Sequence, residues 1–401
     1  MTDPLDTLEL GAGARLAIVG DGDGLAAVPQ VRDADGRWRR ALPGDGLAEA
    51  LVDLLARVDG SEDRGRFTVR SWTRRGASGE RPMGVDQTNE SVIVGDAAVV
   101  KWATHLQEGP HPAPHRIAVL RGAGFAGMPA AWGLVTWQPP DGAETLVAGA
   151  DEFVPGAVDG WTWAVNLVTD AARDNRPAPA VTAATDVGAL VAELHAAMSG
   201  TVGFASAEDA ARWRDAAMQT VETACHLGDS PSVTVLKARR AEVESTFDTL
   251  GELAGTPVID GHGDLHVGQI LCGDGRFVVT DFDGNPVLPA EERILPIPAS
   301  LDVAGMVQSF AHVAIVARKY TVLDNGALAE VDTAVRRAFV DAYTQRLTEP
   351  GHRGLYDPRP LRAFRIQQVL REIIYAARHL PRWMYVPDAA LPALLDGRTA
   401  E

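Results

Sequence analysis

Apolar and polar positions alternate differently along three stretches of the chain. In the first, apolar runs at 15–19, 25–31 and 38–42 predict strands, and the Asp-Gly pairs between them suit hairpin turns. Residues 47–58 carry helical spacing and predict an amphipathic helix, and 67–72 predict another strand. A polar joint with glycines comes next at 74–84 (RRGASGERPMG), where a boundary is expected. In the second stretch, 91–94 and 98–102 predict two strands around a Gly95-Asp96 turn, 115–123 a short helix ended by Gly124, and 131–137 and 143–154 two more strands. In the third, from Trp161 onward, helical periodicity dominates. Helices are predicted at 161–174, 186–198, 207–227, 233–250, 301–319, 328–347 and 362–380, with strand signals inserted between 258 and 289. The expected organisation is an N-terminal α/β cap (1–83), a β-rich part (84–155) and a mostly helical part (156–401).

Bulk properties narrow the class. A chain of 401 residues exceeds one ordinary core and suggests two lobes with an extra cap. A formal net charge of −17 argues against nucleic acid or an anionic membrane as partner, but leaves room for a nucleotide site built from local donors. The chain shows no apolar run of about 18 residues and no signal pattern at its start. Its two cysteines, Cys225 and Cys272, form no disulfide framework and fit a reducing cytoplasm. No obligate protein partner is evident.

The most informative segment is 259–284, IDGHGDLHVGQILCGDGRFVVTDFDG. Asp264 and Gln269 lie on a polar loop that enters a strand. Gly273-Asp274-Gly275 makes a tight turn, and a second strand ends at Asp281. Such a hairpin brings Gln269 near Asp281. Phosphoryl transfer asks for this set: a carboxylate for the acceptor hydroxyl, and hard oxygen ligands for Mg²⁺ beside the phosphates. Ordinary turn aspartates are the bland alternative. His262 reads as loop support, and His266 as either acceptor contact or loop support.

With these residues in place, the chain resembles the aminoglycoside-phosphotransferase-like kinases. Within them it resembles the maltokinase-like branch and its actinobacterial relatives with glucosamine kinase activity. The likeness rests on 84–101 (GVDQTNESVIVGDAAVVK), 152–163 (EFVPGAVDGWTW), 262–269, 281–283 and 301–310 (LDVAGMVQSF). It implies an α+β, bilobal protein-kinase-like fold, with 84–155 as the nucleotide-binding lobe and 156–401 as the catalytic and acceptor-binding lobe. It implies ATP and Mg²⁺ as cofactors, Asp264 as catalytic base, and Gln269 and Asp281 as metal ligands. Lys101 is implied at the α/β-phosphates, Gln87, Thr88, Asn89 and Ser91 in the loop over the phosphates, and Glu152 to Val154 at adenine. One departure stands out. Relatives pair the lysine with a glutamate from the next helix, and here His115 aligns there, leaving His115, Glu108 or no residue to pair with Lys101.

Gln368, Glu372, Tyr375 and His379 follow i, i+4, i+7 and i+11 and share one helical face. By spacing alone this is a solvated face partnered by Arg365, Arg371 and Arg378. The resemblance makes it the lining of an acceptor site. There an amino sugar's ammonium wants a carboxylate, with Glu372 and Asp302 as candidates and Trp383 and Tyr385 closing the pocket. Asp302 also reads as a first-turn helix acid. The expected activity is transfer of the γ-phosphoryl of ATP to glucosamine, giving glucosamine 6-phosphate. The alternatives are a maltokinase making maltose 1-phosphate, an aminoglycoside phosphotransferase, and a catalytically weak nucleotide-binding pseudokinase.

Overall fold

The structure is a computed structural model that describes residues 3–22, 24–84, 90–106, 109–349 and 351–397. The chain divides into two compact units. The first comprises Met1–Ala118, Met128–Ala157 and Asp281–Leu295, and the second Val119–Gly127, Val158–Thr280 and Pro296–Glu401.

The first unit carries two antiparallel sheets. Strands β1 (Asp6–Gly11), β2 (Ala14–Asp21), β3 (Gly24–Arg32) and β4 (Trp38–Arg40) form a meander in chain order. Helix α1 (Leu47–Arg57) buries Leu47, Leu51, Leu54 and Leu55, the one apolar face its spacing predicts. The second sheet has the order β5-β6-β10-β11-β9-β8-β7. Its members are β5 (Ser61–Arg64), β6 (Phe67–Ser71), β7 (Glu80–Pro82), β8 (Glu90–Val94), β9 (Ala98–Trp102), β10 (Ala131–Trp137) and β11 (Thr145–Glu152). Helix α2 (Ala113–Gly122) lies between β9 and β10 in the chain. Gly95 and Asp96 both adopt positive φ, 56° and 48°, the tight hairpin conformation that suits strand twist.

The expected boundary at residue 83 is corrected. Strands β5 to β7 all precede it, yet they belong to the same sheet as β8 to β11. The polar joint ends in an edge strand, with Glu80 paired opposite Val94. The leucines of α1 and the inward residues of both sheets, such as Leu16, Phe67 and Val100, share one core. Hydrophobic burial therefore joins what the turn-rich sequence separates.

The second unit is mostly helical. In chain order it holds α3 (Gly160–Arg173), α4 (Ala178–Ala197), β12 (Gly203–Phe204), α5 (Ala207–Cys225), α6 (Pro231–Ala238), α7 (Arg240–Asp248), β13 (Pro257–Val258), β14 (Ile270–Gly273) and β15 (Arg276–Val279). A short helix of the first unit, α8 (Ala290–Arg293), intervenes before α9 (Ala299–Tyr320), α10 (Asn325–Thr348), α11 (Leu361–His379) and α12 (Tyr385–Leu395). Several helix starts are capped by side chains. Asp159 accepts from Thr162 N–H, and Ser206 and Asp209 form a reciprocal capping box. Helix α4 begins eight residues earlier than its periodicity predicts, because Pro177 is its N-cap and Pro179 falls in its first turn, where proline is tolerated. The predicted 233–250 helix is two helices that break at Arg239. Helix α9 is long and apolar enough to cross a membrane, but 83% of that stretch is buried inside the protein, as a core helix is.

Candidate active site

The segment joining β13 to β14 carries Asp264 and Gln269, and α9 holds its backbone. His262 N–H donates to Asp302 Oδ2 at 2.8 Å and Gly263 N–H to Asp302 Oδ1 at 2.9 Å. Val267 N–H donates to Ser309 Oγ at 2.9 Å. Between these anchors Gly305 lets the Leu265 carbonyl come close: a Cβ on residue 305 would lie 2.2 Å from it. Asp302, Gly305 and Ser309 follow i, i+3 and i+7, one face of one helix. Helix α3 closes on the same segment through Gly160, where a Cβ would lie 1.7 Å from the Val267 carbonyl. A loop fixed at this many points gives half-buried Asp264 and Gln269 definite positions.

His262 completes the anchoring. Its Nδ1 accepts from Asp264 N–H at 3.3 Å, and its Nε2 donates to the Thr280 carbonyl at 3.0 Å. Both partners leave no choice of tautomer. Thr280 N–H in turn donates to the Gln269 carbonyl at 2.9 Å. Gln269 thus stands opposite the residue that precedes Asp281 in the chain.

Asp302, expected to face an acceptor's ammonium, is corrected to a structural role. Its side chain has no exposure, and besides the two backbone donors it meets His195 Nε2 at 3.3 Å. His195 Nδ1 is in turn 2.8 Å from the Tyr343 hydroxyl. Burial alone would raise the Asp302 carboxyl. The hydrogen bonds from His195 and Gly263 outweigh it and hold the group below the usual carboxylate range.

Glu372 on α11 has the opposite surroundings. Its Oε1 lies 3.2 Å from His312 Nδ1 and accepts from Gln368 Nε2 at 3.3 Å. Its Oε2 is buried and has no hydrogen-bond partner among the described residues. Tyr375 is about half exposed and touches the His379 ring. Trp383 packs edge-on against Trp161 at 5.7 Å, Trp161 lies 6.3 Å from the His266 ring, and Trp383 also meets Tyr385. His266 Nδ1 accepts from Gly268 N–H at 3.0 Å. An aromatic chain therefore links the C-terminal segment to the Asp264 loop within one unit.

In the first unit, Lys101 sits on β9 with Ser91 directly opposite on β8 and Gly149 directly opposite on β11. Asp151, two residues beyond Gly149, shares that face of the sheet. Burial would lower the Lys101 ammonium, but the charges of Asp151, Asp281 and Asp283 outweigh it and raise it. Asp281 adopts φ 66°, a conformation that an L side chain holds only at a cost and that clusters at functional sites. Arg116 of α2 pins the segment beyond Asp281, donating to the Phe282 carbonyl at 3.0 Å and the Arg293 carbonyl at 2.8 Å. Glu152 N–H and Phe153 N–H are committed to the carbonyls of Ala130 and Ala97. Gln87, Thr88, Asn89 and Glu108 lie outside the described residues.

Sequence reasoning missed Asp151, Arg116, Gly305, Ser309, Gln308 and His312. The signal for Gly305 and Ser309 was present as the i, i+3, i+7 spacing that starts at Asp302. Arg116 stood beside the His115 that drew attention. Asp151 is found only from strand register, which sequence does not supply.

No family model matches the chain. A glucosamine kinase of Mycolicibacterium smegmatis is 67% identical over 397 residues, covering 99% of both chains. A glucosamine kinase of Streptacidiphilus jiangxiensis is 43% identical over 400 residues, covering 98% of this chain and 91% of that one. Among solved structures, a glucosamine kinase in complex with glucosamine, ADP and inorganic phosphate superposes with a TM-score of 0.86. It is 41% identical and covers 97% of this chain and 93% of that one.

Proposed function

The chain belongs to the glucosamine kinases of the aminoglycoside-phosphotransferase-like superfamily, and from that membership we propose how its own residues perform the reaction. It is an ATP-dependent phosphotransferase with an alcohol group as acceptor, and the acceptor is glucosamine. The γ-phosphoryl of ATP passes in line to the 6-hydroxyl oxygen, the hydroxyl proton goes to the Asp264 carboxylate, and ADP leaves. The anchored loop holds Asp264 where the hydroxyl must be oriented, so its main contribution is positioning.

Gln269 and Asp281 would hold Mg²⁺. One carboxylate and one amide oxygen fit a hard cation that keeps places for phosphate and water. When bound, Mg²⁺ would offset the negative charge of the phosphates. Lys101, kept charged by Asp151, faces the α/β-phosphates, and Ser91 lies on β8, the strand that follows the loop over them. Backbone groups of Glu152 to Val154 would hold adenine. Nucleotide binding falls to the sheet-bearing unit, and acceptor binding to the helical one. A cytoplasmic setting for the reaction is our reading, and the two free cysteines support it.

The observation that carries the acceptor is Glu372, whose second oxygen is buried and lacks a donor among the described residues. An ammonium supplies that donor, while a neutral disaccharide such as maltose brings no charge to match it. Gln368, Tyr375, Trp383 and His266 complete the sugar's surroundings. The test is ADP release with Mg-ATP across glucosamine, N-acetylglucosamine, glucose, maltose and an aminoglycoside, with Asp264→Ala as control. Turnover on glucosamine that is lost in the variant is expected. Preferred turnover on maltose would overturn the acceptor assignment.

A further inference from the structure

Four side chains of the helical unit form a line whose hydrogen atoms can be placed in only one way. Arg365 Nε donates to Gln308 Oε1 at 3.2 Å. Gln308 Nε2 lies 2.9 Å from His312 Nε2. His312 Nδ1 lies 3.2 Å from Glu372 Oε1. Arg365, Gln308 and His312 are almost completely buried, so water does not relieve a mismatch.

A guanidinium only donates, so it requires the carbonyl end of the Gln308 amide. The amide's NH₂ end then faces His312, and it too only donates. His312 Nε2 must therefore be the bare, accepting nitrogen, and its proton sits on Nδ1, aimed at Glu372 Oε1. Protonating Nε2 would set two donors against each other at 2.9 Å. Flipping the amide would only move the clash to Arg365.

We propose that His312 is a positioning residue for acceptor recognition: an imidazole locked in its Nδ1–H form by Arg365 and Gln308, holding one Glu372 oxygen so that the other meets the acceptor's ammonium. The proposal rests on the assignment of Glu372 to the acceptor's ammonium. The fixed tautomer matters in two ways. It supplies a donor that orients the carboxylate, and it brings no positive charge that would compete with the ammonium. Helix α9 thereby serves acceptor and catalyst together, since Ser309, which anchors Val267, precedes His312 by three residues, about 4.5 Å of rise.

Two substitutions separate positioning from packing. The amide nitrogen of asparagine stands near imidazole Nδ1, and that of glutamine near Nε2. His312→Asn should keep the donor to Glu372, and His312→Gln should lose it. The readout is the ratio of kcat/KM for glucosamine to that for glucose, with Glu372→Gln alongside. His312→Gln is expected to lower the ratio about tenfold through the glucosamine KM, with kcat and the ATP KM unchanged, the size of one hydrogen bond to a charged group. His312→Asn should hold the ratio within about threefold of wild type. Equal losses in both variants, or a loss in neither, would overturn the proposal. If Glu372→Gln lowers the ratio and His312→Gln does not, the role of His312 fails alone. If Glu372→Gln leaves the ratio intact, the assignment of Glu372 fails first. A nitrogen-15 spectrum of the imidazoles of the wild-type enzyme needs no variant to fold beyond the one used for assignment. A proton on His312 Nδ1 is expected, and one on Nε2 would overturn the proposal.

Discussion

Asp302 and Glu372 are two carboxylates of the helical unit with opposite surroundings. Asp302, near the start of α9, has no exposure, and three donors meet its two oxygens. Glu372, in the middle of α11, takes two neighbours on one oxygen and none among the described residues on the other. A carboxylate saturated by its own chain has nothing left to offer a ligand, and its charge goes into holding backbone. A carboxylate oriented through one oxygen, with the second buried and unsatisfied, carries a cost that a cationic ligand removes. Residue type alone does not distinguish the two, but the count of donors does.

Of the two carboxylates, Asp302 is the costlier to alter. Asp302→Asn offers one accepting oxygen where three donors converge and turns an NH₂ toward a backbone N–H. A loss of about 3 kcal/mol of stability is expected in urea unfolding, together with loss of turnover as the Asp264 loop comes free. A loss below about 1 kcal/mol would deny its anchoring role. The acid limb carries a second signature. The Asp302 carboxyl is depressed in the folded protein, so its stabilisation is full above the unfolded carboxylate value of about 3.9 and is lost as pH falls below it. In Asp302→Asn the fall of stability with acid should be shallower over that window.

Gly305→Ala tests the loop without touching a charge. Its Cβ would lie 2.2 Å from the Leu265 carbonyl, so the segment must move. The expected cost is about 2 kcal/mol of stability, with kcat reduced by about tenfold or more because Asp264 is displaced. An unchanged kcat would show that the loop tolerates the shift. Ser309→Ala has the smallest effect, about 1 kcal/mol for the lost partner of Val267 N–H. Its preference for glucosamine over glucose should be that of wild type.

The helices of the second unit are legible in the sequence because each buries a continuous face. Spacing predicts 301–319 and 362–380, and Ala299–Tyr320 and Leu361–His379 are observed. The hairpin at 270–279 is legible for a local reason, since Asp274 and Gly275 take the positive φ that its turn demands. The hidden features depend on partners distant in sequence. The sheet order that joins β5 and β6 to β10 and β11 leaves no local trace. Helix α12 is hidden because Pro387 and Pro392 argue against a helix, yet one falls in its first turn and the other near its end. Asp302 and Glu372 look alike in sequence because spacing shows which face a residue takes, not how many donors wait there. Nothing in the spacing singles out His312 or Gln308; only their distances to Glu372 and Arg365 do.

The role of Glu372 is decided by comparing wild type with Glu372→Gln, measuring kcat/KM for glucosamine and for glucose in the same preparation. A fall of about tenfold to a hundredfold is expected for glucosamine, with little change for glucose and an unaltered melting temperature, because the second oxygen serves the ligand and not the fold. An unchanged preference for glucosamine, or a collapse of the fold, would contradict it.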